Sequence, residues 1–356
     1  MDTPRAHRVP APAFAGLATI LIAGCAALAP TPPRGVLADG AGWQEVSRAG
    51  RLFGEGPVAA RDGKLYLTDI TITAVIKDKN PGGTIYRYDP ATGATAKYME
   101  PSGMANGLHV DRAGDLIVAQ GADTGGGRAV IRRNLATGAT SVVADAFQGQ
   151  RLNSPNDVTS DAQGRIYFSD ARYISNDPMA LPNAVYRVDP NGRITRISTD
   201  ILRPNGIEVS PDGKRLYVGA FNQVGRLPTN PNGPAQDRFG LAFGGVVAYD
   251  LDARGNVSSG QVFYRDDERG VDGLAMDTDG NLYVALHDGN RQAPKRDLVV
   301  LTPAGDLLAR LPLPETGLTT NLGFGRGADA DSLYLTTAIP WRLHRIKTVR
   351  RGLYWE

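Results

Sequence analysis

Short runs of alternating apolar and polar residues recur along this chain. Each is followed by a turn and by a second run rich in β-branched and aromatic residues. The pair GEGPVAARDGKLYLTD (54–69) is repeated as ANGLHVDRAGDLIVAQ (105–120), SPNDVTSDAQGRIYFSD (154–170), RPNGIEVSPDGKRLYVGA (203–220), GVDGLAMDTDGNLYVAL (270–286) and TNLGFGRGADADSLYLTT (320–337). A period of two over a few residues marks a half-buried strand. Self-similarity at about 50 residues marks a repeat architecture. In the first five copies a turn glycine (Gly63, Gly114, Gly164, Gly213, Gly280) supplies the positive φ that a two-residue hairpin needs. The sixth has Asp329 there and a longer turn. Further strand–turn–strand pairs lie between, such as TIYRYDPATGATAKYM (84–99) and AVYRVDPNGRITRIS (184–198). About four strands per unit predict an all-β fold, a six-bladed β-propeller over residues 43–356. A chain that is 42% hydrophobic and 21% charged has the apolar content to fill such a core. Two insertions, 221–245 and near 71–83, belong on the open rims, where they can shape a pocket.

Every copy carries one oxygen-bearing side chain just ahead of its first strand: Glu55, Asn106, Asn156, Asn205, Asp272 and Asn321. The first strand of a propeller blade lines the central channel, so these positions are expected to converge at one mouth. Asn and Asp also favour turns before strands, which explains any single copy equally well. A Glu among them, and an oxygen in all six, favour a shared site. Carboxylate and amide oxygens without His or Cys suit a hard divalent cation, Ca2+ first, with Mg2+, Mn2+ or Zn2+ as alternatives. The histidines His7, His109, His287 and His344 are scattered and make no zinc pattern. DTDGN (277–281) reads as a hairpin turn, because sister copies place AQGR or PDGK in that slot. No G-x-S-x-G elbow or P-loop is present, and Gly125–Gly127 lies between strand-like runs.

The first residues read differently. Arg5 and Arg8 precede an apolar stretch from Ala11 to Gly24, too short to span a bilayer comfortably and suited to a signal peptide over residues 1–24. It ends in LIAGC, where Cys25 is the single cysteine of the chain. This resembles a lipoprotein lipobox, in which the Cys is lipidated; an ordinary secretory signal is the alternative. Residues 25–42 then form a flexible tether. Ala26 after the Cys, by resemblance to Gram-negative lipoproteins, implies a lipid-anchored protein of the bacterial cell envelope, in the outer membrane and facing the periplasm. A lone, lipidated Cys leaves no disulfide and no catalytic thiol. The formal charge of +2 falls closer to zero once residues 1–24 are removed, so nothing argues for nucleic acid. The basic run from Arg342 to Arg351 reads as a solvated rim. Membrane contact is expected through the lipid alone.

LNSPNDV followed by IYFSD, with NGIEVSPDG, DGLAMDTDGNLYVA and TNLGFG, resembles the gluconolactonase branch of the family that includes regucalcin (senescence marker protein) and luciferin-regenerating enzyme. The resemblance spans about residues 50–345. It implies a six-bladed propeller with a divalent cation at the channel mouth, held by Glu55, Asn205 and Asp272, with Asn156 contacting metal or substrate. The chain departs from the family at AQG (119–121), at FSDARY, and at Ser154, where animal members have Arg. The function implied is hydrolysis of a sugar-acid, gluconolactone-like lactone to the open-chain acid. Asp272 is the favoured proton acceptor and Asp157 the other candidate. Asn106 and Asn156 would position substrate hydroxyls, with Gln120 and Tyr173 at the rim. Other esterase or phosphotriesterase chemistry on the same metal, or a non-catalytic calcium-binding lipoprotein, are the alternatives.

Overall fold

Inner strands are buried on both faces here, as in Pro155–Ser160 and Gly270–Met276, because sheet packs on sheet, while outer strands such as Ala94–Met99 stay largely exposed or half-buried. The computed structural model describes residues 35–70, 82–122, 124–173, 178–222, 238–241, 244–288, 297–314 and 317–355. The signal peptide 1–24, Cys25 and the 71–83 insertion up to residue 81 lie outside them, as do residues 223–237 of the second insertion. The architecture is all-β and propeller-like. Four separate antiparallel sheets of four strands start at Ala105–Val110, Pro155–Ser160, Pro204–Val209 and Gly270–Met276. Ala146–Phe147 and Gln150–Arg151 make a small two-stranded sheet, and the remaining strands form one eight-stranded sheet. In it Phe53–Ala59, Leu65–Ile70, Thr84–Asp89 and Ala94–Met99 follow in order. Leu318–Phe324, Ser332–Ala338, Arg342–Lys347 and Gln44–Ser47 make up the rest, so the first strand of the chain is hydrogen-bonded to one of the last. The two halves meet through one residue pair, Phe53 with Ala338.

Apolar clusters form between neighbouring sheets. Ile117, Ala119 and Val130 pack with Val158, Phe168 and Tyr186, while Tyr167 and Val185 pack with Ile207, Val218 and Val247. Residues 35–42, expected in the tether, partly join this body. Val36 and Leu37 are buried, and Leu37 bridges to Thr348. Two apolar side chains that reach a core cluster gain more by burial than by solvation, so the tether boundary falls nearer residue 35 than 42.

The first strands pack against one another in a cycle, from Phe53–Ala59 through Ala105–Val110, Pro155–Ser160, Pro204–Val209, Gly270–Met276 and Leu318–Phe324 back to Phe53–Ala59. Every one of them loses register with its own second strand over the same interval: 55–58, 105–108, 155–158, 204–207, 271–274 and 319–322. A β-bulge re-aims the side chains beside it, and the repeated polar residue sits within or at the edge of each one.

Glycine lets these bulged strands approach. Gly56, Gly107, Gly206 and Gly273 each follow the polar residue directly. A Cβ on Gly206 would lie 2.4 Å from the Asp272 carbonyl oxygen and 2.9 Å from the Leu274 nitrogen. Neither backbone atom can yield cheaply. Gly206→Ala is therefore expected to cost about 3 kcal/mol of stability, read as a lower urea midpoint at unchanged m-value.

The far ends of the first strands are tied together by residues 351–355. The Leu353 amide donates to the Met276 carbonyl at 2.9 Å. The Trp355 indole donates to the Ser160 carbonyl at 2.7 Å, and the Tyr354 hydroxyl donates to the Phe324 carbonyl. The Ala59 amide reaches the same hydroxyl at 3.4 Å. Ala59, Ser160, Met276 and Phe324 each end a first strand.

Candidate active site

Short polar side chains at the ends of the second strands hold the entry to the first strands in place. The Asp69 carboxylate accepts the amides of Arg51, Leu52 and Phe53 at 2.6, 3.2 and 3.0 Å. Asp170 does the same for Asn153 and Ser154 at 2.9 and 2.5 Å, and Asn222 Oδ1 for Arg203 at 2.9 Å. Burial pushes Asp170 up to about 6, against the pull of those two amides. The loops that deliver Glu55, Asn156 and Asn205 are thereby fixed from below. Hydroxyls finish the work at the bulges. Thr68 Oγ1 donates to the Asn106 carbonyl at 3.0 Å, and the Asp157 amide donates to Ser169 Oγ at 3.1 Å.

The result is a cavity of about 190 Å3 into which Glu55, Asn106, Asn156, Asn205 and Asp272 all project. Four of these, Glu55, Asn156, Asn205 and Asp272, are less than a tenth exposed. Asn205 Nδ2 donates to Asp272 Oδ1 at 2.8 Å. The side-chain amides of Asn106 and Asn156 have no hydrogen-bond partner among the described residues. Burial raises Glu55 well above the usual carboxylate range, and the charges of Asp272 and Asp157 raise it further; Asn321 and the Gly56 amide oppose them. Asp272 is raised as well, by burial, against hydrogen bonds from His287 and Asn205. Two carboxylates are thus held where neither is solvated well and each resists the other's charge.

The cavity does not take every residue the sequence suggested. Asn321 lies deeper. It bonds to Glu55, and its Nδ2 stands 3.5 Å from Asp157 Oδ2. Asp157 lines a second, smaller cavity of about 50 Å3 with His109, Glu208, Asn321 and Tyr354. The bulge sends Asn156 toward one cavity and Asp157 toward the other, so Asp157 has no contact with the first and is not placed to act as a base there. Gln120 does not line the first cavity either. Its amide donates to the Ser102 carbonyl at 2.8 Å, and the side chain packs over Gly103 and Gly127, where it serves the loop. Tyr173 does line it, with its hydroxyl 3.2 Å from the carbonyls of both Arg203 and Pro204.

His287 was not singled out from the sequence. It ends the strand Leu282–His287 and lines the cavity beside Asp272, with Nδ1 2.9 Å from the Thr319 carbonyl and 3.5 Å from Asp272 Oδ2. A carbonyl only accepts, so Nδ1 carries the proton. The available signal was its place: His287 ends a second strand, as Ile70 and Phe221 do, and all three reach the cavity.

Residues 53–339 match the family described as SMP-30/Gluconolactonase/LRE-like region. The chain belongs to that family. Among its relatives, a pentonolactonase from Haloferax volcanii is 30% identical, over 80% of this chain and 81% of that one. A gluconolactonase from Zymomonas mobilis is 27% identical, over 74% and 70%. The solved structure of a gluconolactonase from Xanthomonas campestris is 23% identical and superposes with a TM-score of 0.68, over 88% of this chain and 91% of that one. That last likeness speaks to the fold, and it agrees with the propeller-like sheets. Within the SMP-30/gluconolactonase/LRE-like match fall all five of the repeated polar residues that project into the cavity. The hard-oxygen donor set mixes two carboxylates with amides, and no group of three or more His, Cys, Asp or Glu side chains is gathered for a metal among the described residues.

Proposed function

We propose that this protein is a metal-dependent lactonase, opening a cyclic ester to its hydroxy acid at the cavity of Glu55 and Asp272. The observation that carries the reading is the burial of these two carboxylates with Asn156 and Asn205 around one cavity. The names of the relatives support a lactone as substrate, and a sugar-acid lactone of the gluconolactone kind is the first candidate they supply. For the scaffold, our reading is a six-bladed propeller. The cycle of first strands supports it, and so does the division of the eight-stranded sheet at the Phe53–Ala338 pair into two four-stranded blades.

A divalent cation, Ca2+ by preference, fits this donor set, since mutually repelling buried carboxylates flanked by amide oxygens are what a hard cation neutralises. Glu55, Asp272, Asn205 and Asn156 are the residues that would hold it. When bound, it supplies Lewis-acid polarisation of an ester carbonyl. The chain's own groups do the rest. Asn106 and Asn156 have free amides with which to orient the ring. Asp272 takes the proton of the attacking water as its oxygen bonds to the carbonyl carbon, and returns it to the ring oxygen as the bond between that carbon and the ring oxygen breaks. The Nδ2–H of Asn205 holds the Asp272 carboxylate in place, with the His287 ring beside it. Anchorage through a lipidated Cys25 on the periplasmic face of the outer membrane is part of the same proposal, and labelled fatty-acid incorporation that depends on Cys25 tests it.

The decisive assay follows acid release by residues 26–356 from a panel of lactones, before and after chelation. Chelation is expected to lower the rate at least a hundredfold, on the scale of losing one major transition-state interaction, and Ca2+ to restore it. Metal-dependent turnover of phosphotriesters or simple esters alone would shift the assignment to those substrates. Calcium binding without turnover of any would make it a binding protein.

A further inference from the structure

The wall above the polar floor says which lactones fit, and the inference rests on the lactonase reading. Phe53 and Ile70 face each other across the first two strands of their sheet and both line the cavity. Met104 enters from just before Ala105–Val110, and Phe221 from the end of Arg215–Phe221. The Tyr173 ring meets Phe221 edge-on at 5.7 Å, and Phe221 meets the His287 ring at 5.1 Å, so three rings continue one surface. These positions lie at the rim ends of their strands, outside Glu55, Asn156, Asn205 and Asp272.

The polar tips on this wall already have partners. The Tyr173 hydroxyl lies against two main-chain carbonyls, His287 Nδ1–H against the Thr319 carbonyl, and Ser154 Oγ accepts the Ala122 amide at 2.9 Å. None of the described residues lining the cavity is Lys or Arg. Hydroxyls of a polyol lying against this wall, beyond reach of the free amides of Asn106 and Asn156 on the floor, would lose water and find few replacements, which costs affinity for each one left unpaired. A phosphate or carboxylate substituent would find no cationic side chain among them to replace its hydration.

We propose that the lactone taken by this site carries an alkyl or aryl substituent and no charged group, with the polar floor serving the ester function and the rim receiving the apolar part. Sugar-acid lactones are then secondary substrates.

The test compares kcat/KM of the Ca2+-loaded protein for δ-valerolactone, δ-hexalactone, δ-nonalactone and dihydrocoumarin with glucono-1,5-lactone and its 6-phosphate, each corrected for spontaneous opening. The expected result is a rise of about fourfold per added methylene until the cavity fills. Glucono-1,5-lactone should fall at least tenfold below δ-nonalactone, with the 6-phosphate lower still. Phe53→Ala should shrink the ratio of δ-nonalactone to δ-valerolactone by roughly tenfold, as expected for a lost aromatic contact. A flat chain-length series, or gluconolactone equal to or better than the alkyl lactones, overturns the inference while leaving the lactonase reading intact. No acceleration of any lactone overturns both.

Discussion

Glu55→Gln is expected to lower kcat/KM for lactone hydrolysis by on the order of 10²–10³-fold, with an unchanged far-UV circular dichroism spectrum. The substitution keeps the shape and removes one of the two negative charges the floor offers a cation. It also removes the repulsion that raises Glu55 in the absence of metal. The variant should therefore lose affinity for Ca2+ by titration calorimetry, yet melt no lower than the chelated parent protein. Those two readouts move in opposite directions only if Glu55 is a metal ligand. A purely structural Glu55, bonded to Asn321, would lose stability without a change in calcium affinity. Full activity in the variant would sink the ligand assignment.

The second large effect concerns the far cavity. Burial pushes Glu208 up to about 7 and Asp157 up to about 8. A carboxyl raised in the folded protein holds its proton more tightly there than in the unfolded chain. The stability it contributes is complete below the unfolded pKa near 4 and is lost as pH rises through the folded one. The chelated protein is accordingly expected to lose stability between about pH 4 and pH 8. Glu208 accounts for about 2–3 kcal/mol of this, the lower figure because the side chain keeps some surface toward the cavity. Its hydrogen bonds from Thr159 Oγ1 and the Val209 amide, at 2.9 and 3.1 Å, already favour the charged form. Glu208→Gln should flatten the pH profile of the melting temperature between about pH 4 and pH 7, and an equally steep profile in the variant would remove Glu208 as its cause.

Much of the architecture was legible because a propeller repeats itself. A period near 50 residues, a hairpin glycine in five copies and one oxygen per copy identified the strands and five of the residues that meet in the cavity. What the pattern did not carry was direction. Asn156 and Asp157 are neighbours in sequence, and only the bulge between Pro155 and Val158 sends them to different cavities. Gln120 occupies a rim position by count, but two adjacent glycines leave a hollow that the side chain fills instead. His287 and Phe221 carry no motif, and become part of the site because their strands end at the same height. Val36 and Leu37 lie in a stretch rich in Ala, Pro and Gly, and composition alone gave no sign that two of its members reach the core.

The segment 351–355 is laced across the ends of four first strands, and Tyr354 and Leu353 line the far cavity. Strands that lie far apart in sequence are thus held by one short clasp, and none of the four ends can shift without disturbing residues that also hold the others.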